Sequence, residues 1–160
     1  SREGIGGLAS WALAACTGSA RQQLIGPHLM TTSHTDESEQ TVVILVTHGP
    51  SAPERCATPF YLGAILASMD AEVKIFLTMD AVRLAQRHVA EQLAAVEGGR
   101  KIIDFIREAK RAGARLHLCL PALPGYEMEG EDDLIEEVDE LSGGGVLADL
   151  ILSCDKVLSF

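Results

Sequence analysis

A net charge of −10 on 160 residues sets this chain against nucleic acid and anionic lipid, both of which would repel it. The length suits one domain, and with 47% apolar but only 4% aromatic residues its core is aliphatic, as in a buried sheet under helices rather than an aromatic-rich sandwich. No run reaches the roughly eighteen apolar residues of a membrane span. The four cysteines, Cys16, Cys56, Cys119 and Cys154, form neither a CxxC pair nor a zinc-finger spacing, so free thiols in a reducing cytoplasm are expected.

Residues 1–40 read differently from the rest, as a poorly structured N-terminal extension or leader ahead of a single domain at 41–160. A small apolar stretch, Gly4 to Cys16, is followed by a polar one, Thr31 to Gln40. Leu13-Ala-Ala-Cys16 resembles a lipoprotein cleavage box, but only Arg2 precedes it with positive charge and glycines break the apolar segment. Met30 is the alternative natural start.

Thr41 to Thr47 is a continuous β-branched run, expected as a strand buried on both faces. His48-Gly-Pro-Ser-Ala-Pro53 follows as a turn, and Pro53 opens a predicted helix to about Met69, with Pro59 early enough to be tolerated. Glu72 to Thr78 is the second strand. Asp80 is then the expected N-cap of a helix through Arg83, Arg87 and Leu93, Arg83 and Arg87 lying one turn apart on one face. After Gly98-Gly99, the spacing predicts an amphipathic helix from Lys101 to Ala112, capped by Gly113. Arg115 to Leu120 is the third strand and carries Cys119 where it gives out before Pro121. A long loop to Asp132 leads to a short helical turn and a strand over about 137–141. Ser142-Gly-Gly-Gly145 turns into a helix from Val146 to Ser153, and Lys156 to Phe160 is the last strand. This alternation predicts a three-layer open α/β fold, a mostly parallel five-stranded sheet with helices on both faces.

Carboxyl ends of strands are where ligands gather in such sheets, so Cys119 is the first candidate. A free cysteine is most often a small buried hydrophobe; the alternative is a carrier or redox thiol, which requires access and a thiolate. Cys56, at a helix start, is a candidate second thiol, and His48 a candidate pocket residue. His117, two residues before Cys119, shares its strand face, either as a hydrogen-bonded core histidine or as an aid to the thiol. The four lack the close spacing of a metal site, and thiol chemistry without metal is the simpler expectation. No Walker A loop, GxGxxG or GxSxG is present, and no cofactor is expected. Residues 121–160 carry eleven acidic and one basic side chain; this face either steers a basic partner or is simply solvated.

The Val43-Ile-Leu-Val-Thr-His-Gly strand and turn, the Cys56–Ser68 helix, Val73-Lys-Ile-Phe-Leu, Leu116-His-Leu-Cys119, Gly143-Gly-Gly and Cys154-Asp-Lys-Val-Leu-Ser-Phe160 occur in an order that resembles the DsrE/TusD family of small sulfur-relay proteins. The resemblance covers about residues 41–160. It implies an open α/β fold, a homo-oligomer (trimer or hexamer), and sulfur carried as a persulfide at the position of Cys119. It further implies exchange with a small carrier protein of the TusA type, a sulfurtransferase-like role. The loop after Cys119 does not match the family closely. The alternative is a non-catalytic oligomeric ligand-binding or interaction module with a structural cysteine.

Overall fold

The computed structural model describes residues 39–160. The run Thr41–Val46 forms β1, and every later strand lies parallel to the strand it pairs with: β2 at Glu72–Leu77, β3 at Arg115–Cys119, β4 at Glu140–Ser142 and β5 at Lys156–Ser159. The order across the sheet is β4-β3-β2-β1-β5, the open α/β arrangement that the alternation of elements predicts. Crossovers between parallel strands are right-handed. The first three step in one direction and the last, from β4 to β5, steps back, which sends its helix to the opposite face. Helices α1 (Thr58–Ser68) and α3 (Ile102–Ala112) therefore cover one face, and α4 (Gly144–Ser153) the other.

Alternation along each strand sorts the side chains accordingly. Ile44, Ile75, Leu116 and Leu118 join the large core under α1 and α3, whereas Val43 and Phe76 join Leu150 of α4 in a second, smaller one. α1 lies so close to the sheet that a Cβ on Gly63 would stand 2.9 Å from the Ile75 side chain. α3 buries Ile102, Ile103, Ile106 and Ala109 on one stripe and ends at Gly113, whose left-handed φ of 107° lets its N–H reach the carbonyls of the last turn.

Four segments depart from the sequence reading. The helix expected from Pro53 is split into a 3-10 turn, Pro53–Arg55, and α1, because Pro59 has no N–H to donate back along a continuous helix and so sits in the first turn of a new one. The helix expected from Asp80 to Leu93 becomes a 3-10 helix, Met79–Ala85, and a single turn, α2 (Val89–Gln92). Gln86 turns extended to bridge Leu134, and His88 takes a left-handed φ of 69°, so the run cannot continue as an α-helix and Arg83 and Arg87 share no helix face. The loop after Cys119 winds into a 3-10 helix, Leu120–Tyr126, and the strand expected at 137–141 is confined to β4. The extension at 1–40 lies outside the described residues except for its last two positions.

Candidate functional site

Because the sheet is parallel, every strand ends at the same edge. The chain leaves β3 at Cys119, β2 at Thr78-Met79, β1 at Thr47-His48 and β4 at Ser142-Gly143. Strand order places β2 between Cys119 and His48, so two strand spacings, about 10 Å, separate the strands that carry them. The sequence-predicted residues thus share an edge without forming one cluster.

Cys119 is a half-buried free thiol. It packs against both cores, since it stands where the sheet gives out between α4 and the 3-10 turns of the other face. In the loop that follows, Leu123 and Met128 are buried in the large core, against which Cys119 also packs, and Cys119 keeps part of its surface exposed. Leu120, next in the chain, and Met79, just past the end of β2, are exposed at the same edge of the sheet. Met79 adopts a φ of 55°, a conformation that non-glycine residues enter only at a cost. On the other side Cys119 pairs in register with Ser142, and the next residue, Gly143, caps the amino end of α4. That end carries free N–H groups and the positive end of the helix dipole.

His48 belongs to a different hydrogen-bond chain. Arg55 Nη1 donates to its Nε2 at 3.2 Å, which assigns the proton to Nδ1; Nδ1 lies 3.1 Å from the Thr47 hydroxyl, which in turn donates to the Phe160 carbonyl. The ring ties Arg55 to the ends of β1 and β5, beside a cleft of about 370 Å³ lined by Glu54, Arg55, Thr58, Ser159 and Phe160. Cys56 is fully buried and its thiol points at the carbonyls of Gly49 and Ala52, 3.2 and 3.5 Å away. Burial, with Asp80 and Glu54 adding to it, pushes this thiol up to about 11. Asp80 caps no helix through its side chain. Its carboxylate accepts from the Ser51 amide and hydroxyl and from Arg83, which together outweigh its burial and hold it below the usual carboxylate range. Gly49 meets the same turn backbone to backbone: a Cβ there would stand 2.1 Å from the Asp80 carbonyl oxygen.

His117 is buried on the α4 face of β3, its ring stacked on Phe76 with centroids 6.2 Å apart and planes 9° from parallel. The Ser142 hydroxyl donates to Glu140 at 3.1 Å and stands 3.1 Å from His117 Nδ1, so Nδ1 carries the proton and donates to the Ser142 oxygen. Nε2 is left as a buried acceptor with no partner. Burial pushes the imidazole pKa down against the opposing pull of Glu140. Ser142 and Glu140 were beyond sequence reasoning, because only the register of β4 on β3 brings them to His117. Among the described residues, no group of three or more histidine, cysteine or carboxylate side chains could hold a metal ion.

A model of the DsrE/DsrF-like family matches residues 40–160. The chain belongs to the DsrE/DsrF-like family. This DsrE/DsrF-like chain is similar in structure to the YchN protein of E. coli, with a TM-score of 0.64 and 26% identity over 76% of this chain and 99% of that one. At 16% identity it shares the fold of MTH1491 from Methanobacterium thermoautotrophicum and of BT1422 from Bacteroides thetaiotaomicron, both proteins of unknown function. The TM-scores are 0.53 and 0.52, over 76% of this chain in each case and 99% and 95% of theirs. No curated protein matches it. Family membership supports a role of the sulfur-relay type. Among the described residues, no helix is long and apolar enough to cross a membrane.

Proposed function

We propose that this protein carries sulfur as a persulfide on Cys119 and exchanges it with a small carrier protein of the TusA type, a sulfurtransferase-like role in the cytoplasm. The observation that carries the reading is the placement of Cys119: a free thiol at the carboxyl edge of the sheet that stays partly exposed although it packs against both cores. Sulfur acceptance requires a thiolate that can reach the donor, and the amino end of α4 beside Ser142 favours negative charge there.

The rim fits a protein partner. Met79 and Leu120 offer exposed apolar contact, and Gly143, Gly144 and Gly145 leave open space where side chains would stand. In this reading Cys56, fully buried and held protonated, packs the turn after β1 rather than handling sulfur, and His48 positions Arg55. Free thiols suit a reducing cytoplasm. Exposed apolar side chains on α1 and α4 support the expected homo-oligomer, a trimer or hexamer.

Incubation with a low-molecular-weight persulfide followed by intact-mass measurement is expected to add one sulfur atom, and Cys119→Ser to abolish the gain. An undiminished gain in the variant would sink the assignment. A Cys119 that resists alkylation in the folded protein and never gains mass would favour the non-catalytic binding or interaction module.

A further inference from the structure

We infer that His117 is the proton acceptor for Cys119, its buried and unpartnered Nε2 taking the thiol proton as the cysteine sulfur attacks. The inference rests on Cys119 being the sulfur-handling thiol. His117 and Cys119 stand two residues apart on one face of β3, so a rise of about 3.3 Å per residue separates their Cα atoms by about 6.6 Å. Both rest on the same apolar floor: the imidazole stacks on Phe76, and Cys119 packs against the small core that contains Phe76. The relay Glu140–Ser142–His117 fixes the proton on Nδ1 and thereby makes Nε2 an acceptor.

Neither structural task of this side chain uses Nε2. A phenyl ring would stack on Phe76 as well, and the Ser142 contact engages Nδ1 alone. An enclosed acceptor without a donor is destabilising, and here it stays enclosed, 4% exposed for the residue as a whole, one strand pleat from a thiol. No hydrogen bond joins Nε2 to the Cys119 thiol in this structure; catalytic hydrogen bonds can form only when the reactant is bound.

The step balances as a thiol exchange. With a persulfide donor R–S–SH, the Cys119 proton moves to Nε2 and the Cys119 sulfur bonds to the donor's outer sulfur. The donor S–S bond breaks, and the departing R–S⁻ takes the proton from Nε2. The products are Cys119–S–SH and R–SH, with no net oxidation.

The test is the alkylation rate of Cys119 against pH, read by peptide mass spectrometry, in the unaltered protein and in His117→Phe, His117→Asn and Ser142→Ala. The Asn variant keeps a polar group toward Ser142 and guards against a folding defect in the Phe variant. Charged groups that act on the ring are Glu140 and Asp139 at β4, Arg115 on β3 and Lys74 on β2; α4 over the same face carries one charged residue, the exposed Asp149. At pH 7 both His117 variants are expected to react about tenfold or more slowly, with Ser142→Ala intermediate. At strongly alkaline pH, where hydroxide replaces a protein base, the rates should converge. Unchanged rates at pH 7, or equal slowing at both pH values, would overturn the assignment. Persulfide mass gain in the unaltered protein is read separately, so loss of the carrier reading is distinguishable from loss of a role for His117.

Discussion

At the scale of single residues, two thiols at one sheet edge are given opposite characters by their surroundings. Cys119 is half-buried, whereas Cys56 is sealed beneath the turn that its own carbonyl contacts help to shape. With its pKa raised to about 11 by burial first and Asp80 and Glu54 next, Cys56 stays protonated when folded over a range in which the unfolded chain ionises. The folded state then binds more protons than the unfolded one, so stability should fall as pH rises from about 9 towards about 11. A Cys56→Ala variant should lose that part of the fall, which denaturant titrations across this range would measure. The same protection means that alkylation of the native protein at pH 8 should modify Cys119 and leave Cys56 untouched until denaturant is added. Labelling of Cys56 in the native state would contradict the sealed turn.

Among the elements, α4 combines a structural and a functional demand. Its first turn contains Gly144 and Gly145, with Gly143 as cap, yet positive φ among the described glycines occurs at Gly98 and Gly113 only. Nor would a Cβ at any of the three meet an atom within 4 Å. Neither backbone conformation nor packing accounts for these glycines, and each inside the helix costs about 0.5–1 kcal/mol relative to alanine. Gly144→Ala and Gly145→Ala should therefore raise stability by about that much, while slowing sulfur delivery to a protein acceptor more than loading from a small persulfide. Equal effects on both transfers would mean that no partner backbone approaches here. The same helix shows what was legible beforehand. Apolar β-branched runs marked the strands, and the periodicity of α3 with its glycine stop located that helix almost to the residue. The segment Met79–Ala85 was misread because Ala81, Val82, Leu84 and Ala85 suit an apolar stripe of either helix type. What decides its form is the pairing of Gln86 with Leu134, far along the chain. Cys119 was readable at its strand end from the proline after it; the Ser142–Glu140 support for His117 depends on strand register, which local pattern does not carry.

Over the whole molecule, the two helical layers leave apolar exteriors that the sheet does not use. No residue of α1 is charged, and Tyr61 and Ile65 on it are exposed. On the opposite face α4 exposes Val146, Ile151 and Leu152, the last at 87%. Exposed apolar side chains of this kind are commonly covered by a partner, so these surfaces are where the proposed homo-oligomer would make its contacts. Leu152→Glu is expected to lower the assembled mass in sedimentation while leaving the helical signal unchanged; an unaltered mass would exclude α4 from the contact. Acidic side chains cluster in residues 121–160, which favours a basic approaching surface over an acidic one.

Strand order also governs when the sheet can be finished. β1 has β2 on one side and β5 on the other, and the bonds that seal it join residues 31 and 114 positions apart, Thr41 to Glu72 and Thr41 to Asp155. Contacts of such separation form slowly. During synthesis β1, the first strand among the described residues, therefore waits longest to be fully paired, and one edge of it stays open until the segment after Ser153 emerges. Until then Val43 and Phe76 lack the cover of Leu150, and the thiol at the end of β3 stands on a bare sheet face. The growing chain thus passes through an interval in which strand addition by a neighbour and premature oxidation compete with completion of the fold.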